Sequence, residues 1–211
     1  MAWLIIAFDG TDAEAPARRA AARDEHVAVI TAEAEAGRLA LGLPLHDEAG
    51  NSLGSVMVLD TDKAGLDAYL GKEPFARRGV WQRIDTHSFR IAPLPYAGWP
   101  QAAAGGRSHT VTMARDGQDP AAQDRRLAAR PGHFARVRQY AEDGTLLMGG
   151  AILDAPEGKM VGSVAVTRHP THAEAEAFWR EDPYVQSGVW LDLRYYATSF
   201  RPLPYKPLPA A

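Results

Sequence analysis

The sequence predicts an α+β fold in which two βαββαβ units pack sheet against sheet within one chain. Three observations carry that expectation. First, the chain repeats itself. Arg18-Arg19-x-Ala-Ala-Arg23-x-x-His26-x-Ala28 returns as Arg125-Arg126-x-Ala-Ala-Arg130-x-x-His133-x-Ala135, 107 residues later. Between 18–44 and 125–151, 12 of 27 positions are identical, where this composition would give about three by chance. Second, each copy runs through the same order of strand and helix patterns. Third, a four-stranded antiparallel sheet with helices on one face leaves its other face apolar and bare. A second such sheet covers it, which explains why the unit occurs twice.

Each copy opens on a short apolar or alternating run, 2–8 and 109–114, that reads as a strand and ends in a turn signal, Asp9-Gly10 or Asp116-Gly117. An Ala/Arg-rich helical stretch follows. In the second copy Pro131 interrupts it. Proline suits a first helical position and not an interior one. The pattern therefore predicts a short helix near 120–129 and a main helix over 131–143. In the first copy Asp24 is the matching N-cap. Gly37 and Gly144 stand where a helix ends. Strands at 38–46 and 145–153 pair with 54–60 and 161–167 across polar, Gly-containing loops. A second helix covers 62–71 and 171–181, with Thr171-x-x-Glu174 as a capping box. A last strand spans 80–90 and 189–200. This is the ferredoxin-like order, twice. The expected divisions are a first unit 1–96, a linker 97–107, a second unit 108–205 and a tail 206–211. The stretch after 200, with four prolines, is expected to be extended.

Composition narrows the function. Hydrophobic residues at 46% and charged residues at 23% suit a soluble globular protein. A net charge of −3 argues against nucleic acid or an anionic membrane as partner. No apolar run approaches the ~18 residues of a membrane span. The N-terminus lacks the basic start and cleavage pattern of a signal peptide, so a cytoplasmic location is expected. With no cysteine there is no thiolate chemistry and no Cys-based metal site. No P-loop, dinucleotide-binding, nucleophile-elbow or zincin pattern is present. The expected partner is a small molecule, with no cofactor and no metal. Further self-association is left open.

The residues able to do chemistry recur in both copies. His26 and His133 are candidate acid-base groups. In the first turn of a helix each would be kept neutral by the positive helix end. Arg23 and Arg130, three residues earlier, are placed to grip an anion. Asp182, before Pro183 and Tyr184, stands on a rigid corner from which it can fix the tautomer of His133. Glu73-Pro74-Phe75 is its altered equivalent, one methylene longer. The bland alternatives are a helix-start His and a helix-ending Asp-Pro turn. Asp9 and Asp116 end their first strands and are candidates to face the same cleft, although a turn-forming Asp explains them equally well. Ser55 and Ser163, after glycines, are candidate ligand contacts or plain strand starts. His169-x-x-His172 lacks a counterpart in the first copy and reads as surface.

These residues resemble a known family. Ala7-Phe8-Asp9 and Ala114-Arg115-Asp116 ending a strand, Arg130-Pro131-Gly132-His133, Leu146-x-x-Gly149, Gly162-Ser163, and Asp182-Pro183-Tyr184 followed by Gly188-Val189 resemble the YciI-like (YCII-related) family of the dimeric α+β barrel superfamily. The likeness covers about 3–96 and 109–205, more loosely in the first copy. It implies a ferredoxin-like fold paired through its sheets. It also implies a His/Asp site at His133 and Asp182, with His26 and Glu73 as the altered pair. Some members eliminate HCl from chlorinated hydroxyhydroquinones, and relatives isomerise lactones. The resemblance thus points to isomerisation or elimination on a small, anionic, aromatic-derived compound. A non-catalytic ligand-binding or assembly module is the competing expectation.

Overall fold

The computed structural model describes residues 2–103 and 106–209. Ala104 and Gly105 of the expected linker, and the end of the tail, lie outside the described residues. The elements are β1 (Ala2–Asp9), α1 (Ala15–Glu35), β2 (Leu39–His46), β3 (Ser52–Asp60), α2 (Lys63–Lys72), α3 (Pro74–Arg77), β4 (Trp81–Ile91), β5 (His109–Asp116), α4 (Ala122–Glu142), β6 (Leu146–Leu153), β7 (Met160–Thr167), α5 (His172–Arg180), α6 (Pro183–Gln186) and β8 (Trp190–Thr198). The eight strands close an antiparallel barrel in the order β1-β3-β2-β8-β5-β7-β6-β4. One buried cluster crosses it, joining Leu4, Ile6, Val56, Val58 and Phe89 to Val111, Met148, Val164 and Val166. A second holds α4 and α5 against their strands through Val137, Ala141, Ala165, Trp179, Tyr184 and Trp190.

The barrel closes through two unequal seams. β4 pairs with β6 through four residue pairs, Ser88–Leu153 to Ile91–Gly150. β2 and β8 share only His46–Ala197. Pro44 explains the difference, because it has no N–H to give a ladder. Ala151, its counterpart, pairs with Arg90. At the tight seam a Cβ on Gly150 would lie 2.3 Å from Phe89 Cζ, so only glycine fits.

Two expectations are corrected. The helix around Pro131 is not split: α4 runs unbroken over 21 residues with Pro131 inside it. A helix-interior proline costs about 3 kcal/mol. Burial on both sides of it, at Ala122 and Arg126 and again at Val137 and Ala141, offsets that cost. Likewise α1 is continuous from Ala15, so Asp24 is mid-helix and not a cap. His26 and His133 therefore sit deep in their helices, and helix-start electrostatics does not apply to them. The one-turn helices α3 and α6 were not expected. Each begins at a proline and is capped by the carboxylate before it, Glu73 or Asp182.

The segments after β4 and β8 cross to the opposite half. Tyr96 Oη donates to Gly149 O or Ala92 O and accepts from Gly149 N. Tyr205 makes the matching bonds to Gly42, 163 residues away in sequence. Each half is thus strapped by the other's Pro-Leu-Pro-Tyr run.

His109 gives the barrel a pH dependence. It is 4% exposed, and burial, reinforced by Arg168, holds its pKa down to about 4. The unfolded imidazole takes up a proton below about 6.5, while the folded one stays neutral. Stability therefore falls as pH drops from about 6.5 to 4, by up to about 3 kcal/mol. His109→Gln is expected to flatten that part of a pH–Tm profile. An unchanged slope would contradict this assignment.

Candidate functional site

The structure brings His133 and Asp182 together. Nδ1 of His133 lies 2.8 Å from Asp182 Oδ1, and the same oxygen accepts from Tyr184 N–H at 2.9 Å. Capping α6 fixes the carboxylate, and the carboxylate fixes the ring. Arg136 Nη1 stands 3.5 Å from Asp182 Oδ2, so the buried carboxylate has a nearby cation. The imidazole stacks on Tyr184 with centroids 3.9 Å apart and meets Trp190 edge-on. With Nδ1 engaged, Nε2 is the nitrogen left free.

His133 lines a cavity of about 290 Å³ whose wall includes Arg130, Phe134, Ser163, Ala165, Trp179 and Tyr184. Arg90, Pro93 and Leu94 reach it from the opposite half. The wall is mostly apolar, with a few convergent polar groups, the usual make-up of a small-molecule site. Arg130 lies over the Phe134 ring at 4.2 Å.

The first half repeats the arrangement with less room. His26 Nδ1 is 2.7 Å from Glu73 Oε1 and stacks on Phe75. The longer carboxylate also accepts from Tyr69 Oη at 2.8 Å. The cavity beside His26, with Arg23 and Ser55 in its wall, is about 160 Å³. Met57 stands where the second half has Ala165, and its side chain presses on Gly42.

Asp9 and Asp116 do not face these cavities as free carboxylates. Asp116 accepts from Arg126 Nη1 with both oxygens at 2.7 Å, and Arg126 Nη2 donates to Ser163 Oγ at 2.8 Å. Asp9 pairs with Arg19 at 2.9 Å in the same way, with Arg19 Nη2 3.3 Å from Ser55 Oγ. The expectation that the aspartates face the cleft is therefore corrected: each neutralises an arginine of the cavity wall, Arg19 or Arg126, and neither lines that cavity itself. Burial pushes the Asp116 carboxyl up, and Arg126 pulls it back. Sequence reasoning missed Arg19 and Arg126. The signal was present, since both stand ten residues after an aspartate inside a recurring Arg-Arg doublet. The other member of each doublet, Arg18 or Arg125, pairs outward with Asp12 or Asp119.

A larger hollow of about 610 Å³ is lined by residues of β4, β5 and β8, among them Arg83, Asp85, Arg115, Asp116, Asp192 and Arg194. Within its wall Arg83 pairs with Asp85 at 3.1 Å and Arg194 with Asp192 at 3.3 Å, and Arg115 and Lys159 add two further cations. Among the described residues no group of three or more His, Asp or Glu is arranged to hold a metal, and no helix is long and apolar enough to cross a membrane.

The YCII-related domain model matches residues 110–199. An uncharacterised protein of Haemophilus influenzae is 33% identical over 79 residues, covering 35% of this chain and 81% of its own length. The chain belongs to the YCII-related family. Among solved structures, a mutant chlorite dismutase from Candidatus Nitrospira defluvii matches 95% of this chain and 91% of its own, with TM-score 0.56 and 13% identity. That likeness shows the α+β barrel. The 5-chloro-2-hydroxyhydroquinone dehydrochlorinase of Burkholderia phenoliruptrix matches 41% of this chain and 89% of its own, with TM-score 0.37 and 20% identity. The family model falls on the half with the larger of the two histidine-lined cavities, about 290 Å³ against about 160 Å³.

Proposed function

We propose that this YCII-related chain is a small-molecule enzyme in which His133, held by Asp182, moves a proton on a ring-sized, oxygen-bearing compound. The outcome is isomerisation or elimination. The observation that carries this reading is the free Nε2 of an imidazole whose other nitrogen is fixed 2.8 Å from a buried carboxylate, in the wall of a cavity. A carboxylate on Nδ1 selects the tautomer that leaves Nε2 able to accept a proton, and it stabilises the imidazolium that results. At about 290 Å³ the cavity lies at the small end of ligand sites, which favours a single ring. Arg130, with no acidic partner among the described residues, suits an anionic substituent.

We read the chain as two ferredoxin-like units, 1–96 and 108–205, joined by 97–107. The first half serves mainly to close the barrel and to strap the second, because Met57 and Glu73 fill or tie up its own site. The second half is the working one. The test is a screen of cyclic carbon acids and halogenated hydroxy-aromatics in D2O, read as deuterium uptake or halide release. Turnover that depends on His133 supports the reading. Saturable binding with neither exchange nor release would instead make the protein a ligand-binding module.

A further inference from the structure

Two residues that line the His133 cavity each carry a buried hydrogen-bonding atom with no partner among the described residues. Tyr184 is 1% exposed, and its Oη has no partner. Arg126 is 2% exposed; its Nη atoms serve Asp116 and Ser163, while Nε has no partner. A buried polar group left unpaired is costly, and native proteins seldom tolerate it without reason. The two residues also touch, with Arg126 Cζ 4.8 Å from the Tyr184 ring centroid.

The first half shows what the fold itself requires. There Phe75 stacks on His26 at 3.9 Å, as Tyr184 does on His133. Arg19 lies over Phe75 at 4.5 Å. An aromatic ring satisfies the packing, so the hydroxyl of Tyr184 is surplus to it. The unpartnered Nε1 of Trp190 is less informative, because Trp81 in the first half has the same feature.

We infer that Tyr184 Oη–H and Arg126 Nε–H hold an acceptor oxygen of the ligand beside His133, and that the cavity selects compounds whose oxygen gains charge as His133 acts. This rests on the acid-base reading of His133. His133 Nε2 takes a proton from carbon, the C–H pair becomes a C=C bond, and the adjacent C=O pair moves onto oxygen. The enolate oxygen is held by the two donors, neither of which gives up its proton. Burial pushes the Tyr184 hydroxyl up, which keeps it a donor. Return of the proton from His133 to another carbon completes an isomerisation. Expulsion of an anion from the neighbouring carbon completes an elimination. Preorganised donors aimed at developing charge are commonly the largest catalytic contribution.

The test uses para-nitrophenolate as an enolate-like probe and nitrobenzene as its uncharged control, bound to the full chain. Tyr184→Phe, which installs the residue found in the sister half, is expected to weaken para-nitrophenolate by ~10- to 100-fold and to change nitrobenzene by less than about twofold. Its Tm should hold or rise, since an unpaired buried hydroxyl is removed. Equal phenolate affinity in the two proteins, no saturable phenolate binding to the wild type, or a lowered Tm would each overturn the inference. The acid-base reading fails separately, through turnover that survives loss of His133.

Discussion

Replacing His133 with alanine is expected to lower turnover by ~10²–10⁴-fold, the usual contribution of a positioned acid-base group. The reason is geometric. His133 lines the larger cavity with its orientation set from both sides, by Asp182 on Nδ1 and by Tyr184 beneath the ring. KM should change little, since Arg130, the aromatic wall and the opposite half's strap remain. His26→Ala is expected to leave turnover within a few-fold, because the cavity beside it is about 160 Å³ and Met57 occupies the space that Ala165 leaves open. Steady-state kinetics on any substrate from the screen decides this. Equal losses from His26→Ala and His133→Ala would contradict the division between the halves.

Arg126→Ala is expected to destabilise the fold by about 3–5 kcal/mol, the cost of leaving a buried charge without its partner. The Arg126–Asp116 pair has side chains only 3% and 4% exposed. Removing the arginine strands Asp116 and Ser163 together. For a chain of this length that corresponds to a Tm lower by about 6–20 °C. Its neighbour provides the control. Arg125 makes an equally short bond, 2.6 Å to Asp119, but with side chains 32% and 47% exposed. Exposed pairs contribute about 0–1 kcal/mol, so Arg125→Ala should shift Tm by less than about 4 °C. Acid should lessen the Arg126→Ala defect. Without its cation a buried Asp116 has a raised pKa, and its destabilising charge disappears as pH falls below that value. Equal Tm losses from the two adjacent alanines would show that burial is not what separates them.

The parts of this molecule that sequence made legible are those set by local pattern or by internal repetition. Strands showed through alternation and β-branched residues, as in Ser163 to Thr167 or Thr110 to Thr112. Gly37 and Gly144 marked the ends of the long helices and hold φ at +71° and +76° there. The register linking His133 to Asp182 was legible because His26 and Glu73 keep nearly the same separation, 47 residues against 49. Features that depend on distant packing were not legible. Pro131 reads locally as a helix start, and only the buried faces on both sides of it keep α4 whole. Pro-Leu-Pro-Tyr stands at both 93–96 and 202–205, yet nothing nearby in sequence says that each run straps the other half. Arg90 enters the His133 cavity across the β4–β6 seam, a juxtaposition that requires the closed barrel. The role of Asp116 turned on which of two adjacent arginines points inward, which helix phase alone left open.

The tautomer of His133 is the most direct test of the account, because the acid-base reading requires the proton on Nδ1 facing Asp182 and a lone pair on Nε2 facing the cavity. Long-range proton–nitrogen NMR correlation on the neutral protein reads this directly. The wild type should show an Nδ1-protonated ring, with that preference lost in Asp182→Ala. An Nε2-protonated His133, or the same mixed tautomers with and without Asp182, would contradict it.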